Sequence, residues 1–160
     1  MDQDRILYRG EAFTLTGNSL RQDAAHWAEV QPDGQVKTMK NGRYSEWSIV
    51  PEAGNAPHYR GNFEVLNQAY GLALHEAGAL LNEEGTFRTG ANWPTVWTRD
   101  ISYSTHLGLG LWNVRACMNS LNARVRNGEV EQDTGTGGSW PISSDRVVWG
   151  MAAWEVYCLT

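Results

Sequence analysis

The residues best equipped for chemistry lie between Thr89 and Leu107. Here Trp93, Pro94 and Trp97 lead into the adjacent pair Arg99-Asp100 at the point where a helical pattern begins. An indole face beside a fixed cation and carboxylate suits a polyhydroxylated ring, because the apolar face of a sugar stacks on tryptophan while its hydroxyls meet charged hydrogen-bonding groups. Trp97, Arg99 and Asp100 are therefore candidate sugar contacts. Asp100 also has an ordinary alternative use, as a helix cap or an ion-pair partner. A second loop repeats the arrangement, with Trp140 ahead of Asp145-Arg146. Asp145 would equally suit the dipole of a helix start. Asp133, in a glycine-rich stretch between them, is read either as a ligand for sugar hydroxyls or as the anchor of an Asx turn before Thr134-Gly135.

Other chemistries find little footing. The four histidines are dispersed and form no Cys/His cluster at ligand spacing, so no metal is expected. Gly135-Thr136-Gly137-Gly138 lacks the Lys-Ser/Thr ending of a phosphate loop, and no Gly-x-Ser-x-Gly elbow occurs. No cofactor is implied. A net charge of -5 argues against nucleic acid as a partner. No apolar run approaches the roughly 20 residues that span a bilayer, and Met1-Asp2-Gln3-Asp4 does not open a signal peptide. Cys117 and Cys158 fall in helical patterns and are read as buried thiols. Eight tryptophans in 160 residues exceed ordinary usage, and five of them sit in or just after the two glycine-bearing loops.

The elements that position these residues follow from period and punctuation. Residues 1–50 read as a small β element. Ile6 to Tyr8, Ala12 to Thr16, Trp27 to Val30, Val36 to Met39 and Trp47 to Val50 are strand-like, with turn signals at Pro32-Asp33-Gly34 and at Lys40-Asn41-Gly42-Arg43. Residues 51–61 read as a linker. From Asn62 the apolar residues Phe63, Leu66, Tyr70, Ala73, Ala77 and Leu80 step by three and four, which predicts a helix ending near Asn82. A second stripe, Leu107, Leu111, Val114, Met118, Leu121 and Val125, predicts helix from Asp100 to about Arg126, either one straight helix about 40 Å long or, as Gly108, Gly110 and Asn113 favour, a hairpin broken near Asn113. A third, Val147, Met151, Trp154 and Cys158, begins after Ser144 or Ser143 as cap. The break at Asn113 would bring both tryptophan loops to one face.

Trp97-Thr98-Arg99-Asp100 resembles the motif of the glucoamylases and, more widely, of the six-hairpin glycosidases. Together with Asp133 to Pro141 and Ser144 to Trp149, it looks like uncharacterised bacterial members of that superfamily over roughly residues 61–158. The resemblance implies a mainly α fold: the first helical hairpins of an (α/α)6 toroid in residues 62–160, behind a small antiparallel β element. Four helices of the twelve would make this an incomplete domain, with apolar helix faces covered by the remainder of its own chain or by a partner. It further implies a glycoside hydrolase acting on α-glucoside-like oligo- or polysaccharides with inversion, outside the cytoplasm. Its acid and base would lie beyond Thr160, leaving this stretch inactive alone. Arg99 and Asp100 would bind the sugar at the non-reducing end, and Trp97 would line that subsite. The alternative is a carbohydrate-binding or scaffold module that holds a glycan without cleaving it.

Overall fold

A computed structural model describes residues 5–48, 57, 59–133 and 143–160. The expected sugar-stacking Trp140 lies outside these residues, as do 51–56 and 58 of the expected linker. The chain divides into two compact units, one holding the sheet and the chain as far as His75 apart from residues 55–57, the other holding those three and the stretch from Glu76 to Thr160.

The first unit is a six-stranded antiparallel meander. Its strands are β1 (Ile6–Arg9), β2 (Thr14–Thr16), β3 (Ser19–Arg21), β4 (His26–Val30), β5 (Val36–Lys40) and β6 (Arg43–Trp47), each paired with the next in sequence. Local chemistry sets this order. Asn41 and Gly42 take φ of 52° and 75°, the left-handed pair that a two-residue hairpin turn demands, so Lys40 pairs with Arg43 and β6 starts at once. Asp33 Oδ1 accepts from the Gln35 amide to shape the β4–β5 turn. Arg21, Trp27, Met39 and Tyr44 are successive cross-strand partners and so share one face. There the Arg21 guanidinium lies 5.2 Å from the Trp27 ring. Helix α1 (Glu64–Ala79) follows, and the boundary between the units falls within it.

The second unit carries helices α2 (Thr98–Ser104), α3 (Gly110–Trp112), α4 (Val114–Asn122) and α5 (Asp145–Leu159). A π-type stretch, Thr105–Leu109, links α2 to α3. Asn113 leaves helical geometry and its Oδ1 accepts from the Ala116 amide at 3.0 Å, capping α4. A two-stranded hairpin, β7 (Val125–Arg126) and β8 (Glu129–Val130), turns through Asn127 and Gly128, both at positive φ. The core comprises Phe87, Ile101, Ala116, Cys117, Leu121, Ala152 and Val156. Small residues allow α4 and α5 to approach closely. Ser120 is buried because its hydroxyl accepts from the Phe87 amide and donates to the Ala116 carbonyl.

The expected fold, mainly α with the first helical hairpins of an (α/α)6 toroid in an incomplete domain, is overturned. The structure has 40% helix and 24% strand, and a six-stranded antiparallel sheet stands where a small accessory was expected. The implied membership of the six-hairpin glycosidases fails with it, since sheet and short helices do not make a toroid. The physical reason lies in the apolar stripes. Leu107 is 79% exposed and Leu111 65%, so the first part of that stripe is not the buried face of a toroid helix, while Leu121 farther along it is buried. On α5 the expected core positions Val147, Met151, Trp154 and Cys158 are all exposed, and Val148, Ala152 and Val156 form the buried face. Cys117 is buried as expected, Cys158 is not, and both are free. No helix of the described residues is long and apolar enough to cross a membrane.

Candidate functional site

The site is built around a helix start that lacks its own cap. Trp97 stands at the N-cap of α2 and supplies no side-chain hydrogen bond. The unsatisfied amide at that end is met from across the fold, where Asp133 Oδ2 accepts from the Arg99 N–H at 3.3 Å. The carboxylate also lies at the positive end of the short helix dipole. Asp145, the first residue of α5, then accepts the Asp133 amide on Oδ2 at 2.8 Å. Asp145 is fully buried. Its Oδ1 has no hydrogen-bond partner among the described residues and faces Arg99 Nε at 3.9 Å.

Arg124, two residues past α4, ties this arrangement together. Its Nε donates to Thr98 Oγ1 at 3.1 Å, its Nη2 meets Asp133 Oδ1 at 3.0 Å, and its Nη1 lies 3.2 Å from Glu131 Oε2. Thr98 Oγ1 donates in turn to the Glu131 carbonyl at 2.7 Å. The planar guanidinium fork explains why arginine stands here, since one side chain meets three acceptors in fixed directions. Glu131 also pairs with Arg126 at 3.0 Å, and Arg146 lies 3.6 Å from Glu129.

Over this network opens a cleft of about 660 Å³, lined by Trp97, Arg124, Arg126, Glu129, Glu131, Asp133 and Arg146 among others. Of the residues singled out in the sequence, the structure brings Trp97, Asp133 and Arg146 to this cleft. Arg99 and Asp145 are not among its described lining; they face one another at 3.9 Å, between the first turns of α2 and α5. Asp100 is exposed and also outside the described lining. Sequence reasoning missed Arg124, Arg126, Glu129 and Glu131. Asn127-Gly128, flanked by Val125-Arg126 and Glu129-Val130, is a tight-turn signal that would have ended the helix early and exposed the hairpin.

Burial raises the Asp133 pKa above its ordinary 3.8, and the charge of Asp145 adds to the shift. The amides of Arg99 and Thr98 and the Arg124 charge act against it. Asp133 therefore holds a proton more tightly in the folded chain than in the unfolded one. Between 3.8 and its folded value the native state binds more protons, so this group's contribution to stability falls as pH rises through that interval. Asp133→Asn removes the titration. The unfolding free energy of the native chain relative to the variant, followed by denaturant titration at several pH values, should decrease from pH 3.8 toward neutrality. A constant difference would contradict it.

Comparisons with family models, curated proteins and solved structures return no match to this chain.

Proposed function

We propose that the unit from Glu76 to Thr160 binds a carbohydrate in the cleft beside Trp97, as the sugar-holding part of a glycoside hydrolase. The observation that carries this reading is the lining itself: one indole lies beside three arginines and three acidic side chains, Glu129, Glu131 and Asp133, in a single depression. A sugar ring laid on Trp97 would offer its edge hydroxyls to groups of both signs. Arg126 and Arg146 are more than half exposed and donate, while Glu129 and Gln132 accept. Arg124 and Asp133 in the cleft wall and the buried Asp145 behind Asp133 tie α2 to residues 131–133, so the surface is preorganised and ligand binding has less ordering to do.

No proton transfer is assigned to these residues. Asp133 has the raised proton affinity of a general acid, but both of its oxygens are engaged, by the Arg99 amide and by Arg124. The two carboxylates of a glycosidase lie on either side of the scissile bond. That Glu129, Glu131 and Asp133 all stand in ion pairs favours a second reading, a module that holds a glycan without cleaving it.

The test uses the protein expressed from its full gene, assayed for binding to α-glucosides and to oligosaccharides of galactose, mannose and xylose, and for release of new reducing ends. Binding with release supports the hydrolase. Binding without release leaves the module, and absence of binding to every glycan sinks both.

A further inference from the structure

The cleft accounts for Trp97 but leaves Trp93 unused. Trp93 is 56% exposed, although an indole is among the costliest side chains to leave in water. Its ring centroid lies 5.2 Å from that of Trp97, at an interplanar angle of 61°. In this edge-on arrangement the two rings do not cover one another as a stacked pair would. The Trp93 indole is thus presented next to the cleft rather than hidden by it.

The loop that presents it is well braced. The Gly90 and Trp93 amides exchange hydrogen bonds with each other's carbonyls, at 3.3 and 3.0 Å, and the Thr89 amide donates to the Thr95 carbonyl at 3.0 Å. The Trp97 amide donates to Thr89 Oγ1, and the Trp97 indole N–H donates to Thr95 Oγ1 at 2.9 Å. These bonds fix the backbone from which both indoles project and hold the Trp97 ring itself. A solvent-facing aromatic on a braced backbone is an efficient binding surface, because only the two side-chain torsions are left to order on contact.

We propose that Trp93 forms a second sugar subsite continuous with the Trp97 cleft, so that the ligand is an oligosaccharide of at least two residues rather than a monosaccharide. This rests on the carbohydrate reading of the cleft. One ring lies in the cleft against Trp97, and the adjoining ring stacks on the outer face of Trp93. Stacking of this kind depends on the apolar face of a sugar and needs no hydrogen bond from Trp93.

Calorimetric titration of glucose, galactose, mannose and xylose, and of their di- and trisaccharides, tests the subsite in the native protein and in Trp93→Ala and Trp97→Ala. The native chain is expected to gain about tenfold in affinity from mono- to disaccharide. Trp93→Ala should lose that gain while keeping native monosaccharide affinity, which also reports that the variant is folded. Trp97→Ala should weaken every length. A disaccharide that binds no more tightly than its monosaccharide, or a gain that survives Trp93→Ala, overturns the second subsite while leaving the cleft reading standing. Absence of binding at every length overturns both.

Discussion

Replacing Arg124 by alanine is expected to destabilise the second unit by about 3 kcal/mol at pH 7, the largest effect of any single substitution in the site. The guanidinium neutralises Asp133 and Glu131 and donates to the fully buried Thr98 hydroxyl. Removing it leaves the Asp133 carboxylate, 7% exposed, without the cation opposite it. An uncompensated buried charge costs more than the pair contributes, which is why truncating one partner has so large an effect. The loss should shrink as pH is lowered, because a protonated Asp133 no longer needs a cation. Arg124→Lys should lose about half as much, since a single ammonium keeps the charge but cannot reach three acceptors at once. Denaturant unfolding followed by near-ultraviolet circular dichroism measures both variants. An Arg124→Ala protein as stable as the native chain would show that the network does not hold α2, α4 and the β7–β8 hairpin together.

Asp145→Ala is expected to cost about 2 kcal/mol, the range for leaving a buried amide without an acceptor. The amide in question is that of Asp133, which Asp145 Oδ2 accepts at 2.8 Å. Removing the carboxylate also withdraws negative charge from the N-terminus of α5 and from Arg99, at about 0.5 kcal/mol for the dipole contribution. Asp145→Asn separates these effects. It retains an oxygen for the Asp133 amide, so its loss should stay under about 1 kcal/mol. Equal losses in the two variants would mean that the charge facing Arg99, and not the hydrogen bond to Asp133, is what Asp145 provides.

Most of the sheet could be read from the sequence, and the exceptions are instructive. Strands at Ile6, Trp27 and Val36 announced themselves through β-branched and aromatic runs between turn signals. β3, Ser19–Arg21, is too short and polar to stand out; its pairing with β2 and β4 is a tertiary fact. The strand expected from Trp47 begins four residues earlier, at Arg43, because the two-residue Asn41-Gly42 turn lets Arg43 pair with Lys40 and carries the polar run Arg43 to Glu46 into β6. The helix on α5 was legible from its spacing, but its buried face was not. That helix is apolar nearly all round, so periodicity offers two stripes. Val148, Ala152 and Val156 take the buried side, and of these Ala152 and Val156 join Ala116, Cys117 and Leu121 in the core.

The candidate site was legible in its residue types and not in its geometry. Trp97, Asp133 and Arg146 reach one cleft, but among the described residues the two Arg/Asp pairs are not placed alike. Asp100 faces solvent, while Asp145 is sealed under the site it was expected to line. Adjacent residues at a helix start point in divergent directions, and which one turns inward depends on what lies across the fold, here Asp133 and Arg124. Sequence spacing carries no record of that partner. Arg124 was invisible for the same reason: its importance comes from contacts with Thr98, Glu131 and Asp133, which only the folded chain assembles.

The most direct test of sugar binding in the cleft is the set of indole N–H signals in a two-dimensional nitrogen-proton spectrum during titration with a disaccharide of glucose, galactose, mannose or xylose. A ring laid in the cleft must perturb the Trp97 indole, whereas Trp112, in the same unit, packs against the core and is not among the cleft's described lining. The predicted result is a saturable shift of the Trp97 signal that exceeds any shift of the Trp112 signal. Saturable binding that leaves Trp97 in place, or no shift with any of the four sugars, would contradict it.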